Sequence, residues 1–278
     1  MNLAAIAGLM MIGSGAAHAT VNAVLKSGDD KMSSRALIDG FSALLTLPGV
    51  FLLPLPSHAW VWLAASGVIH LVYLTSLIKA FEHADMMVAY PLMRGLSPVL
   101  ASMVAVGLLH ESITLMVGAG IACVSLGLMI AALGRHLDRR ALGWSLLTGA
   151  CIALYTVADA QGVRAAPSAP SYIVWIFLID GGLIAVLFAL WRGPRFILAA
   201  RGEWRAGLTA GALSVVSYGT ALWALRLGGI ARLSALRETS VLFGVIIAIV
   251  FLKERATLAR LVSAAFIGAG AAVLVMSG

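Results

Sequence analysis

Two stretches of this chain are copies of one another: residues 94–115, which read RGLSPVLASMVAVGLLHESITL, and residues 237–258, which read RETSVLFGVIIAIVFLKERATL. Seven of the 22 aligned positions are identical, among them Arg94/Arg237, Ser97/Ser240 and Glu111/Glu254. Each copy carries an arginine inside a long apolar segment and a glutamate where that segment ends. An internal repeat of this kind is typical of membrane proteins built from two related halves, and a charge inside the apolar segment is a candidate ligand contact.

The composition indicates a membrane protein. Of the 278 residues, 61% are hydrophobic and 11% are charged, whereas soluble domains carry about a quarter charged residues. Apolar runs long enough to cross a hydrocarbon core of roughly 30 Å recur from end to end, and they are expected to be helical because unpaired backbone groups are too costly in lipid. We predict an all-α polytopic protein with ten membrane-spanning helices over residues 2–25, 34–55, 58–80, 85–109, 112–134, 140–163, 170–191, 204–226, 230–252 and 256–277.

The basic residues predict how the chain is oriented. All Lys and Arg residues in loops lie in those that follow odd-numbered spans, except for Arg164, Arg226 and Arg232. The positive-inside rule then predicts that these odd-numbered loops are cytoplasmic and that both termini lie on the non-cytoplasmic side. The net charge of +7 therefore reflects how the loops are oriented across the membrane, and we expect no nucleic-acid partner. We expect a multi-pass protein of a bacterial plasma membrane.

The duplication extends over the whole chain and predicts two domains. The sequence LIDG at residues 37–40 recurs at residues 178–181, and residues 18–26 align loosely with residues 155–163. We therefore divide the chain into a first five-helix repeat, residues 1–136, and a second, residues 137–278. Five crossings per copy is an odd number, so the second copy must enter the membrane from the opposite side. The halves are thus predicted to be inverted, with a ligand site near the midplane between them.

Ten helices in two inverted halves, each with a fourth helix that ends in a glutamate (GLLHES and FLKER), resemble the drug/metabolite transporter superfamily, EamA type. The similarity covers the whole chain, but its motifs single out no substrate. It implies that helices 1, 3, 4, 6, 8 and 9 surround a central cavity, with helices 5 and 10 packed behind them. It also implies export of amino acids, other metabolites or toxic compounds.

The two arginines inside the spans are the first candidate site residues. Arg94 lies nine residues into its span, about 13 Å deep at a rise of 1.5 Å per residue. An arginine at that depth costs at least about 2.5 kcal/mol on insertion scales, so it must face protein or water. Either a substrate contact or a structural ion pair would satisfy this requirement, and Glu238 is a candidate partner for Arg94. Two cavity arginines, Arg94 and Arg237, would suit a carboxylate or a phosphate.

Asp159 is the candidate proton-coupling residue. It lies deep in span 6, where a low dielectric favours the protonated carboxyl group, although a hydrogen-bonded packing role would explain it equally well. Asp159 and Glu238 could also hold an ammonium group. A zwitterionic amino acid or an amine-bearing metabolite would use charges of both signs.

Further residues on the proposed cavity helices are candidates for lining an organic-substrate pocket, namely Tyr73, Tyr90, Tyr218, Trp223 and His70. Pro91 and Pro98 flank Arg94 and predict a kink there. The duplicated Asp39 and Asp180 favour a shared helix-packing role. Glu111 and Glu254 favour a structural role as caps of the helices that follow them.

These patterns predict a secondary active transporter that works by alternating access and exports a small polar or amphipathic metabolite, driven by a proton gradient or by exchange. No nucleotide, cofactor or metal motif is present, and Cys123 and Cys151 are expected to be small core residues. The expected partners are the substrate, a coupling proton and membrane lipid. The alternatives are an organic-anion uptake or exchange carrier and, from other classes, an intramembrane enzyme or a passive channel.

Overall fold

The computed structural model describes residues 2–27, 30–84, 86–132, 138–250, 253 and 257–278. Within these residues the chain is helical and has no strand, as the sequence predicts. Nine helical segments are long and apolar enough to cross a membrane, and one more apolar helix, Leu115–Ile130, is shorter. The predicted boundary between the halves, at residues 136 and 137, lies outside the described residues.

The membrane helices are α1 (Leu3–Ser27), α2 (Lys31–Thr46, then Gly49–Leu52), α3 (Trp60–His83), α4 (Met86–Gly107), α5 (Leu115–Ile130), α6 (Arg139–Ala165), α7 (Ala169–Ile176, then Gly182–Arg192), α8 (Pro194–Leu227), α9 (Ile230–Arg237, then Thr239–Val250) and α10 (Leu258–Met276).

The helices pack in reciprocal pairs. Helix α3 packs along α6, and α8 packs along α1; likewise α4 contacts α6, and α9 contacts α1. Helix α5 packs on α10, and α2 packs on α7. A two-fold axis that exchanges α1–α5 with α6–α10 would produce these pairings. The extensive contact between α2 and α8 departs from this symmetry, because α7 and α3 make much less contact.

Three of the described helices are interrupted: α2 at residues 47–48 near its end, and α7 and α9 within the bundle. Helix α9 breaks at Glu238, between Arg237 and Thr239, and a π-helical turn over Phe177–Gly181 interrupts α7. Such interruptions are frequent at functional sites because they redirect side chains and free backbone groups. The two prolines of α4 predicted an irregular backbone in the first copy, but α4 continues as a helix past both of them. The clear break therefore lies in the second copy, beside Arg237.

Side chains at the loop ends fix where several helices begin. The repeated Thr114 and Thr257 each cap a helix, since their hydroxyls accept the backbone N–H of Val117 and Arg260. Asp138 caps α6, and the backbone N–H groups of Ala141 and Arg140 hold the pKa of its carboxyl group below the ordinary value.

The sequence-based role of Glu111 needs a correction. Its Oε2 atom accepts the backbone N–H of Ile230 at 2.9 Å, so it caps α9 in the other half of the chain rather than the helix that follows it. The N-terminus of α5 is already capped by Thr114, whose hydroxyl accepts the backbone N–H of Val117. Glu254 lies outside the described residues.

Small residues allow the close contact between α8 and α2. A Cβ atom added at Gly207 would lie 2.8 Å from Leu37 Cβ, and one added at Gly211 would lie 3.0 Å from the Ile38 carbonyl oxygen. The four-residue glycine spacing on α8 thus marks a helix contact, as its pattern indicates. A second close contact joins α1 to the break in α9, where a Cβ atom at Gly15 would lie 2.9 Å from the Thr239 hydroxyl.

Candidate functional site

Arg94 and Glu238 form a buried ion pair between the two halves. Arg94 Nε lies 2.8 Å from Glu238 Oε2, and Arg94 Nη2 donates to Ser240 Oγ at 2.8 Å. Arg94 is 6% exposed and Glu238 is 2% exposed. The sequence-based pairing of these residues is therefore confirmed, and Glu238 neutralises Arg94 within the site. The guanidinium carbon of Arg94 also lies 5.9 Å from the centroid of the Tyr90 ring.

Arg237 is close to this pair but differs from Arg94 in what it contacts. Its guanidinium carbon lies 4.7 Å from the centroid of the Tyr218 ring, which is a cation–π distance. Its Nε is buried without a hydrogen-bond partner. Among the residues that the structure describes, no carboxylate lies within ion-pair distance of Arg237. Arg237 thus forms no ion pair of its own among the described residues, although the Glu238 carboxylate that pairs with Arg94 also attracts its charge.

Asp159 is the corresponding anion. It is fully buried, and its Oδ1 atom accepts the hydroxyl of Tyr172 at 2.8 Å. Its Oδ2 atom accepts the hydroxyl of Tyr218. The Tyr172 and Tyr218 hydroxyls therefore hold the carboxyl group, and Ser66 and the imidazole of His70 also interact with it. Within the described part of the chain no arginine or lysine forms an ion pair with it. These bonds join α6 to α7 and α8.

Tyr218 connects Arg237 and Asp159. Its hydroxyl donates to Asp159, while its ring faces the guanidinium group of Arg237. The ring packs edge-on against Phe177, with centroids 6.2 Å apart, in the π-helical turn of α7. The guanidinium group thus lies over the ring of Tyr218, and the carboxyl group lies at its hydroxyl.

His70 joins a second polar cluster on α3, α6 and α7. Its Nδ1 atom lies 2.9 Å from Asp180 Oδ2 and 3.0 Å from the Ser66 carbonyl oxygen. The His70 ring stacks on Tyr155 at a centroid distance of 4.3 Å, and Tyr73 packs edge-on against Tyr155 at 5.7 Å. His70 and Tyr73 therefore come together, with Asp180 as the acidic partner.

The duplicated aspartates pack near one another but bond differently. Asp39 accepts from Arg35 Nε at 2.6 Å on its own helix, whereas Asp180 lies against His70 of α3. A Cβ atom added at Gly181 would lie 3.1 Å from the Asp39 carbonyl oxygen, so the two LIDG segments pack closely. The packing role expected for the repeat therefore holds for its backbone, while each carboxylate has a partner of its own.

Trp223 is the candidate that the structure does not bring to this cluster. It is 45% exposed, and it follows Tyr218 by five residues, a rotation of about 140° around α8. Its ring therefore points away from the side of α8 that faces Asp159 and Arg237.

Sequence reasoning missed several members of the site. Tyr172 and Asp180 belong to α7, which the family resemblance did not assign to the cavity, and no local pattern connects them to Asp159 or His70. Ser240 could have been predicted from the sequence, because serine occurs at this position in both copies of the repeat. Ser97, which aligns with Ser240 in the first copy of the repeat, is buried as well.

The comparisons with known proteins agree with this architecture. Residues 139–276 match the model of the EamA-like transporter family. A solved crystal structure matches over 97% of this chain and 95% of its own length, with a TM-score of 0.71 and 18% sequence identity, which shows a common fold. No curated protein matches the chain.

Proposed function

We propose that this chain, which belongs to the drug/metabolite transporter superfamily through its EamA-like second half, is a secondary active exporter of a small zwitterionic metabolite such as an amino acid. The proposal places it in a bacterial plasma membrane, where it works by alternating access between two inverted halves. The observation that supports this substrate class is that Arg237 and Asp159 both contact Tyr218, one at its ring and one at its hydroxyl, while neither forms an ion pair with an oppositely charged side chain among the described residues.

The charges of the core favour a zwitterion over a simple anion. Arg94 is paired with Glu238, Arg35 with Asp39, and His70 with Asp180. Among the buried arginines that the structure describes, Arg232 also forms no ion pair, but it donates to the carbonyl oxygens of Leu274 and Ala4. Arg237 and Asp159 are the two groups without an ion pair that meet at Tyr218. A substrate carboxylate would bind the guanidinium group in a bidentate way, and its ammonium group would replace the tyrosine hydroxyls at the Asp159 carboxylate. The surrounding rings of Tyr155, Tyr90 and Tyr73 would pack against an apolar side chain.

The substrate class is tested by binding of three matched compounds to the purified protein. L-Leucine carries both charges, 4-methylpentanoate lacks the ammonium group and isopentylamine lacks the carboxylate. We expect L-leucine to bind about tenfold or more tightly than either analogue, because each charge-assisted contact contributes about 1.5–3 kcal/mol. Thermal stabilisation measures all three, and the L-phenylalanine series repeats the comparison with an aromatic side chain.

The same measurement separates the alternatives. Equal binding of 4-methylpentanoate and L-leucine would support an organic-anion carrier and contradict the zwitterion proposal. Equal binding of isopentylamine would exclude a role for Arg237 in recognition. Failure of both zwitterions to bind would exclude amino acids with aliphatic or aromatic side chains.

Proton coupling follows from competition at Asp159. A protonated carboxyl group cannot pair with an ammonium group, so proton and substrate would occupy Asp159 alternately, and protons that enter would drive the substrate out. When Asp159 is protonated before binding, we expect L-leucine to displace that proton and release it into weakly buffered detergent solution. A pH-indicator dye measures this release, and 4-methylpentanoate, which has no ammonium group, is the matched control. Proton release that persists in Asp159→Asn would contradict the role of this residue.

A further inference from the structure

A shallow, solvent-open cavity of about 470 Å³ lies at the end of the bundle that the charge distribution assigns to the non-cytoplasmic side. Its lining combines the ends of α4, α6 and α8 with the link between α8 and α9. The lining residues are Leu109, Glu111, Gln161, Arg164, Arg226, Leu227, Gly228 and Gly229. A small metabolite bound there would keep much of its surface in solvent, so its recognition would depend on the polar groups of the lining.

Arg164 and Arg226 hold the ends of α6 and α8 together. Arg164 on α6 donates to the carbonyl oxygens of Leu225 and Gly228, at 3.0 and 2.7 Å. Arg226 on α8 donates to the carbonyl oxygens of Val163 and Ala166 at the end of α6. Each arginine therefore satisfies the free carbonyl groups at the end of the other helix.

These bonds leave part of each guanidinium group for a ligand. Within the described residues, Arg164 Nη1 and Arg226 Nε donate no hydrogen bond, and no carboxylate forms an ion pair with either arginine. Both side chains are half-buried and line the cavity. Two guanidinium groups that are bonded only to neutral carbonyl oxygens are suited to an oxyanion, which guanidinium binds more strongly.

Glu111 supplies a charge of the opposite sign in the same cavity. Its Oε2 atom is engaged by the N–H of Ile230, and its Oε1 atom packs against Gly229, where an added Cβ atom would collide with it. Glycine at position 229 thus allows the carboxylate to lie at the cavity wall. The cavity therefore presents cationic donors and one anionic acceptor, as the central site does.

The cavity lies beyond the central site along the helix axes, with its arginines rotated about 140° around α6 from Asp159 and about 80° around α8 from Tyr218. Arg164 follows Asp159 by five residues on α6, and Arg226 follows Tyr218 by eight residues on α8. At 1.5 Å per residue these separations are about 7.5 and 12 Å along the helix axes. Both point in the same direction, towards the predicted non-cytoplasmic end.

We propose that Arg164 and Arg226 form a second, outer binding site for the carboxylate group of a small organic substrate, which a molecule leaving the central site would occupy before its release. The inference rests on the proposed function for the class of ligand, but the site itself depends only on the cavity and its arginines. An oxyanion bound there would accept from Arg164 Nη1 and Arg226 Nε, the groups that the helix-end carbonyls leave free.

The test is protection of single arginines from phenylglyoxal, followed by mass spectrometry of the purified full-length protein. With 4-methylpentanoate at about ten times its dissociation constant, the modification rates of Arg164 and Arg226 should fall about tenfold. Isopentylamine should leave both rates unchanged. Arg195, which is exposed near the opposite end of α8, is the internal control and should react at the same rate throughout.

Two variants separate this site from the central one. Protection of Arg164 and Arg226 should persist in Arg237→Gln, because that variant removes the central cation and leaves the outer cavity intact. In Arg164→Gln, the protection of Arg226 from phenylglyoxal should weaken. In Arg164→Lys, which keeps the positive charge, that protection should be restored. Unchanged rates with the carboxylate, equal protection by isopentylamine, or loss of protection in Arg237→Gln would each overturn the outer site. Protection that persists when L-leucine shows no advantage over its analogues would leave the outer site standing and refute only the zwitterion proposal.

Discussion

Replacing Arg237 with glutamine is expected to abolish substrate recognition while leaving the fold intact. In the structure this guanidinium group has a buried Nε without a hydrogen-bond partner and contacts the Tyr218 ring. Its loss should change the stability little, because the cation–π contact, about 0.5–2 kcal/mol, is offset by removal of a partly buried charge that makes no ion pair or side-chain hydrogen bond among the described residues. Its contact with a substrate carboxylate would be worth about 1.5–3 kcal/mol, so the affinity for a zwitterion should fall about 10- to 100-fold.

Two measurements on the same preparation check this prediction. Thermal unfolding should occur close to the wild-type temperature, since the substitution removes a partly buried charge that makes no ion pair among the described residues. Binding of L-leucine should fall to the level of isopentylamine, which has no carboxylate to lose. A variant that unfolds at a much lower temperature would show that Arg237 has a structural role instead.

Breaking the Arg94–Glu238 pair is expected to have the largest effect on stability. Both residues are buried at the contact between α4 and α9, so removal of one leaves the other charge without compensation. Arg94→Gln and Glu238→Gln should each cost about 3–5 kcal/mol of unfolding free energy. The double variant should lose less than the sum of the two, because it leaves no unpaired charge. Equilibrium unfolding in mixed detergent measures all three.

The chain offers a matched control for this experiment. Lys79 and Glu82 form an ion pair of similar length, 2.7 Å, but their side chains are 45% and 49% exposed. Lys79→Gln should change the unfolding free energy by no more than about 1 kcal/mol. Additive effects of Arg94→Gln and Glu238→Gln would mean that the two side chains are energetically independent, in contradiction to the observed pair.

The sequence predicted those parts of the site that the repeat records. Arg94 and Arg237 are identical aligned positions of the duplicated segment, as are Ser97 and Ser240. The acidic Glu238, which directly follows Arg237, was predicted to pair with Arg94. Helix number, order and class followed from apolar run lengths, because lipid forces each span to satisfy its own backbone. Helix periodicity alone also places Trp223 away from Tyr218.

The rest of the site depends on contacts that no local pattern encodes. Tyr172 reaches Asp159 only because α7 packs beside α6, and Asp180 reaches His70 through the π-helical turn of α7. The break in α9 was equally hidden, since the prolines that suggested irregular backbone occur in α4, where the helix continues. Glu111 was correctly expected to cap a helix, but which helix it caps depends on how the two halves meet.

The most direct test of the central claim is counter-flow of radiolabelled zwitterion in liposomes that contain the purified protein. Vesicles loaded with unlabelled L-leucine, or with L-phenylalanine if that series binds, should take up the labelled compound transiently and saturably, and an imposed pH gradient should change the amount accumulated. Vesicles with Arg237→Gln should show no counter-flow. Wild-type flux that does not saturate and ignores the internal substrate and the pH gradient, or full counter-flow in Arg237→Gln, would contradict a zwitterion carrier built on Arg237 and Asp159.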